Sequence, residues 1–223
     1  MLLAIDTCGS TGTIALARRE GEEIAVLGTA ELEGKTYAAM LVPHLRELLD
    51  AHNTSLQQME AMIVVNGPGS FTGVRVGVSA VKGLAEAFAT PVIAVSRLQV
   101  LAEKAQTSYA VLDAGRGEFY FRHENLLMPR EALLSLNELE DELQLAPLHS
   151  LGVCEEKIAA AFLEADLVSP PTAADAISVA LPRLLAGDFE DLASLDGNYL
   201  RRSDAELFAR HKSATPVPKP QNA

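Results

Sequence analysis

An apolar run, Ala61-Met62-Ile63-Val64-Val65, leads into Asn66-Gly67-Pro68-Gly69-Ser70-Phe71-Thr72-Gly73-Val74-Arg75, and a helical pattern continues from Thr72 to Ala89. A short apolar run bounded by turn residues predicts a buried strand, and the pattern after it predicts a crossover helix. A strand, a Gly-rich turn and a helix in that order constrain the chain to an α/β layout. The turn has two readings. Free backbone N–H groups at a helix N-terminus suit an anion. Gly67, Gly69 and Gly73 equally suit a tight turn and close helix packing. The Lys-Ser/Thr ending of a P-loop is missing, and the glycine spacing is not the dinucleotide fingerprint.

The rest of the first third extends this layout. Strand signals cover Leu2 to Thr7, Thr13 to Ala17 and Glu23 to Glu31, joined by short turns that imply antiparallel neighbours. Thr36 to Ala51 has Leu41, Leu45, Leu48 and Leu49 at helical spacing, with Pro43 expected to kink or interrupt it. A further strand signal spans Pro91 to Val95. The order β-β-β-α-β-α-β predicts a mixed sheet of ribonuclease-H-like layout.

A second half starts over. Ala4-Ile5-Asp6-Thr7-Cys8-Gly9 has an echo in Val111-Leu112-Asp113-Ala114-Gly115, each followed by another strand signal, Thr13 to Ala17 and Glu118 to Arg122. Two such halves face to face would set Asp6 and Asp113 on opposite walls of a cleft. There they could position a metal-bound nucleotide, or they could cap turns at strand ends. Further on, Leu133 to Leu145 reads as partly helical, Leu148 to Val153 as a strand, and Glu155 to Glu164 and Ala173 to Leu185 as helices. The expected division is a first half over 1–104, a smaller second half over 105–205, and a polar, Pro-rich, disordered tail over 206–223.

The net charge of −12, from 18 basic and 30 acidic residues, argues against a chain that grips nucleic acid by itself. Cys8 and Cys154 are the only cysteines, which excludes a disulfide framework and predicts free thiols in a reducing cytoplasm. The five histidines show no i, i+4 pair, so no metal site is signalled. The opening residues do not read as a signal peptide, and the apolar window Val74 to Val95 is interrupted by Arg75, Lys82, Glu86 and Pro91, which excludes a membrane span there. On the helix after the Gly-rich turn, Gly73, Gly77, Ala80 and Leu84 form a small-residue stripe opposite Arg75, Ser79, Lys82 and Glu86. That stripe lets a neighbour approach closely: the Leu41-Leu45-Leu48 helix of the same chain, or a second chain.

Gly67 to Arg75, Ala4-Ile5-Asp6-Thr7, Asp113 to Tyr120 and Tyr199-Leu200-Arg201, in this order and spacing, resemble the TsaB (YeaZ) family. The resemblance implies an actin-like, sugar-kinase-like fold of two ribonuclease-H-like halves. It implies a non-catalytic subunit in the making of threonylcarbamoyladenosine on tRNA, beside the metal-containing paralogue TsaD and the ATPase TsaE, with tRNA reached only through the complex. It implies a vestigial nucleotide cleft at Asp6, Thr7 and Asp113, with ATP or ADP bound weakly or through the partners. It also implies a partner or homodimer surface on the first two helices, at Gly69, Ser70, Phe71, Thr72, Gly73, Val74, Gly77, Leu41 and Leu45. The paralogue's His-x-x-x-His metal pair is absent from Lys35-Thr36-Tyr37-Ala38-Ala39, so neither a metal nor a protease activity is expected. Many family members carry His where Lys35 stands. The rival reading is a free-standing ATP-dependent phosphotransferase using Asp6 and Asp113.

Overall fold

The computed structural model describes residues 1–33, 37–124, 129–145, 150–162 and 165–201. The expectations for Lys35-Thr36 and for the tail therefore lie outside the described residues.

Strands β1 (Leu2–Asp6), β2 (Gly12–Glu20) and β3 (Glu23–Leu32) form the antiparallel meander. Helices α1 (Tyr37–Ala51) and α2 (Phe71–Phe88) carry the chain through β4 (Ala61–Val65) to β5 (Val92–Val95), both parallel to β1. The sheet order is β3-β2-β1-β4-β5. Every residue of β1 and β4 is buried, as their continuous apolar sequence requires of strands covered on both faces.

After α3 (Arg97–Ala105) the pattern repeats. Strands β6 (Tyr109–Gly115), β7 (Glu118–His123) and β8 (Arg130–Ser135) form a second meander. Helices α4 (Leu136–Leu145) and α5 (Glu156–Ala159) lead to β9 (Leu151–Val153) and β10 (Ala165–Leu167), and the order is β10-β9-β6-β7-β8. Strand for strand this is the first topology again, so the two sheets have equal strand numbers. The short Asp-centred echo in the sequence marks a complete structural repeat.

The expected boundary between 104 and 105 does not describe how the helices pack. The third helix of each half lies on the other half's sheet. Leu98, Leu101 and Ala102 of α3 share a buried cluster with Ala110, Leu112 and Tyr120 of the second sheet. Conversely α6 (Ala173–Ala186) buries Ala173, Ala176, Ile177, Ala180 and Leu184 in the core of the first sheet, and its first N–H donates to Thr13 Oγ1 at 2.8 Å. Lys104 and Asp175 tie the two exchanged helices together at 2.7 Å. The periodicity of a helix shows that it has an apolar face, but not which sheet that face meets.

Pro43 does not interrupt α1. Tyr37, Leu41, Leu45, Leu48 and Leu49 are all buried on its inner face, and that packing holds the helix through the missing donor. Among the described residues, no helix is long and apolar enough to cross a membrane.

Candidate functional site

The Gly-rich turn is fastened to the end of β1. Ser70 N–H donates to Cys8 O at 2.8 Å, Thr7 Oγ1 donates to Gly73 O at 2.6 Å, and Cys8 Sγ donates to Val65 O at 3.1 Å. A β-carbon on Gly73 would lie 1.9 Å from Thr7 O, and one on Gly77 would lie 2.5 Å from Thr7 Oγ1. Side chains at these positions would force α2 off the sheet, so the glycines set the distance between helix and strand. Ser70 caps α2 by accepting the Gly73 N–H at 3.3 Å.

Between the two halves lies a cleft of about 1330 Å³. Its walls include Gly69 to Val74 at the start of α2, Asp113 to Arg116 from the β6–β7 turn, and Asn198 to Arg201 from the segment after α6. Thus the turn motif, the second aspartate and Tyr199-Leu200-Arg201 converge on one cavity, as a face-to-face pair of halves requires.

Asp6 and Thr7 are fully buried behind this wall and do not line it among the described residues. Asp6 Oδ1 accepts the Cys8 N–H at 2.8 Å, and Oδ2 lies 3.5 Å from Arg97 Nε. Burial works against the Arg97 charge, but the acidic groups around it, Asp6 first and then Cys8, Cys154 and Glu155, together outweigh it and the guanidinium is held more firmly charged than usual. Asp113 does line the cleft. Its Oδ1 accepts the Gly115 N–H at 2.8 Å, and its Oδ2 accepts from Lys157 Nζ. Burial raises the Asp113 carboxyl, yet Lys157 and the Gly115 N–H together hold it below its ordinary range.

A metal-bound nucleotide held by both aspartates does not fit this geometry. Each carboxylate has one oxygen on a backbone N–H and the other facing a cation of the protein itself, and Asp6 stands behind the wall. Among the described residues there is no group of three or more His, Cys, Asp or Glu placed to hold a metal ion. Each aspartate accepts the N–H two residues ahead, the bond of a turn-forming carboxylate.

The residues expected to meet a partner divide by burial. Gly73, Val74, Gly77, Leu41 and Leu45 are buried in the chain's own core. Within the chain, Gly73 and Gly77 meet Thr7, just past β1, and Gly77 also meets Ile5 of β1: small residues mark a close approach without naming what approaches. Gly69 is partly buried, while Ser70, Phe71 and Thr72 are exposed. With Arg75, Ser79, Gly83 and Glu86 they form the open face of α2. Arg75 sits over the Phe71 ring, 3.9 Å from its centroid. The adjoining α1 exposes Met40 and Val42, the latter 63 % accessible. The sequence reading missed Arg97 altogether, because its role depends on α3 crossing to the cleft; Lys157 and Tyr37, whose hydroxyl lies 2.7 and 2.6 Å from Gly9 O and Ser10 O, carried no local signal either.

Comparison with known proteins agrees with this geometry. By fold, 90 % of the chain matches 99 % of a Pseudomonas aeruginosa protein described as similar to peptidase YeaZ, at a TM-score of 0.68 and 26 % identity. A second Pseudomonas aeruginosa structure, YeaZ, matches at 0.67 and 25 %. The chain shares the fold of YeaZ. A Haemophilus influenzae protein named tRNA threonylcarbamoyladenosine biosynthesis protein TsaB is 36 % identical over 126 residues, 54 % of this chain and 52 % of that protein. The Bacillus subtilis protein of the same name is 33 % identical over 134 residues, 57 % of each. The chain spans about half the length of these curated relatives. The model of the family described as TsaD, tRNA N6-adenosine threonylcarbamoyltransferase, matches residues 31–135. The matched stretch runs from the end of β3 through α1, β4, the Gly-rich turn, α2, β5, α3, β6, β7 and β8.

Proposed function

We propose that this chain is a TsaB-like, non-catalytic, cytoplasmic subunit of the machinery that places a threonylcarbamoyl group on the adenosine beside the anticodon of tRNAs reading codons that start with A. The observation that carries the non-catalytic part is the pairing of Asp6 with Arg97, which fills the position a free-standing phosphotransferase would need open. The open face of α1 and α2 is the surface for a TsaD-type transferase, or for a second copy when that partner is absent. TsaE joins the two, and any ATP or ADP enters through these partners. The net charge of −12 suits a subunit that leaves tRNA to others.

Reconstitution tests this reading. The pure chain, a TsaD-type transferase, a TsaE-type ATPase, tRNA and threonylcarbamoyl adenylate are combined, and modified adenosine is measured by mass spectrometry. Modification that requires the chain, together with no ATP turnover by the chain alone, is the expected result. Robust ATP turnover by the chain alone, or full modification without it, refutes the proposal.

A further inference from the structure

The segment after α6 crosses from one half to the other. It starts with Leu195, buried in the core of the first sheet, and reaches Leu200, packed against the buried cluster of α3 and the second sheet. Polar contacts hold it at both ends. On the first half, Lys82 Nζ donates to Leu195 O at 2.9 Å and Asn198 N–H donates to Asn66 O at 2.7 Å. On the second half, Asn198 Nδ2 donates to Glu131 at 2.6 Å, and Arg201 donates to Ala114 O at 2.8 Å and Gly115 O at 3.1 Å while pairing with Glu118. Asn198 therefore bonds to both halves at once. Close packing fixes the path: a β-carbon on Gly197 would lie 2.5 Å from Val74, and one on Gly67 would lie 2.8 Å from Asn198 O. The same segment walls the cleft.

We propose that residues 195–201 act as a clasp that holds the two halves closed over the cleft, and that release of the clasp at Asn198 and Arg201 opens it. Among the described residues the exchanged helices α3 and α6 also link the halves, each anchored by an apolar face. The clasp is different in kind. Its grip on the second half is mostly hydrogen bonds at a partly exposed edge, which break at lower cost than a buried helix face. Its Tyr199 ring also touches Phe71, with centroids 5.1 Å apart, at the start of the open face of α2. A chain seated on that face would meet the ring against which the clasp rests. The clasp itself does not depend on the role proposed for the protein.

The protein carries its own reporters. Cys8 and Cys154 are its only cysteines, and both line the cleft. Cys8 is sealed and Cys154 partly covered. Reaction of the full native chain with a disulfide reagent, followed as a function of urea, reads opening of the cleft. Release of a clasp exposes little surface, so its contribution to the rate is nearly independent of low urea, whereas global unfolding climbs steeply. The Asn198→Ala/Arg201→Ala chain should react about tenfold faster or more in the urea-independent range, as expected when a local opening loses several hydrogen bonds. Val81→Ala, buried in α2, should raise only the urea-dependent branch. Arg201→Lys, a milder change that keeps the charge but not the fork, should fall between wild type and the double variant, and it carries the test alone if the double variant does not fold. Wild-type rates in the urea-independent range for these clasp variants overturn the proposal.

Discussion

Asp6 ends β1 and Asp113 lies two residues before the end of β6, and each accepts through Oδ1, at 2.8 Å, the N–H two residues ahead, that of Cys8 or of Gly115. The second oxygen of each meets a cation from an element outside its own meander, Arg97 of α3 or Lys157 of α5. The two pairs differ in burial. The Asp6 and Arg97 side chains are 2 % and 11 % accessible, whereas Lys157 is 66 % accessible.

That difference gives an order of effects. Asp6→Ala leaves a buried guanidinium without its partner, and breaking a buried pair costs about 3–5 kcal/mol. Lys157→Ala removes an exposed partner and costs about 0–1 kcal/mol. Urea denaturation of the two variants checks the ranking, and equal losses would contradict it.

The Asp113 carboxyl, held below its ordinary range, makes a pH prediction. A depressed folded value contributes stability that is present above the unfolded pKa of about 4 and is lost as pH falls through the folded value. Asp113→Asn should therefore flatten the acid limb of the melting-temperature profile and leave the neutral region with a small loss. An acid limb identical to wild type would show that the pair contributes nothing there.

Gly77→Leu separates packing within the chain from packing between chains. A β-carbon there meets Thr7 Oγ1 and approaches Ile5, so the larger side chain overpacks α2 against β1. A loss of about 1–3 kcal/mol is expected, seen as a lower melting temperature. Chromatography of the still-folded variant should show self-association unchanged. The complementary change, Arg75→Glu on the open face, should keep the melting temperature and weaken association.

Burial, with Glu155 nearby, pushes the Cys154 thiol up to about 12. The sign is that of a group kept protonated by folding: its contribution is complete below the ordinary thiol range and is lost as pH rises through the folded value. Ultraviolet titration of thiolate should place the native Cys154 midpoint near 12, against about 8.5 in urea. Cys154→Ala should remove the corresponding alkaline loss of stability.

The fold was legible wherever a segment's own pattern decided its state. Ala61 to Val65 is the predicted strand residue for residue, and the β-β-β-α-β-α-β order is the order found. What escaped was decided by distant residues. Strand β8 was read into the following helix, because Leu133 and Leu134 suit either state until Phe119 and Tyr120 pair with them. Strand β10 has three residues and, among the described residues, pairs only with β9, and α3 is short. At the site, the Gly-rich turn pointed to the right place but not to its role. Gly73 and Gly77 record a close approach, and only the fold shows that Thr7 is what they approach. The aspartates were found from their echo, while Arg97, which decides the chemistry of Asp6, lies 91 positions away in sequence (97 minus 6) and carries no local mark.

The exchange of third helices between the sheets sets an order of assembly during synthesis. The first sheet is complete as a strand set once Val95 has left the ribosome, yet one of its faces stays uncovered until Ala173 to Leu184 are made. Over that interval the apolar residues of β1 and β4 on that face have no native cover, the condition under which nascent chains aggregate or recruit a chaperone. Expression of residues 1–104 alone should thus give an insoluble or chaperone-bound product. Coexpression with a fragment that begins before α6 should restore solubility, because the missing cover is then supplied in trans.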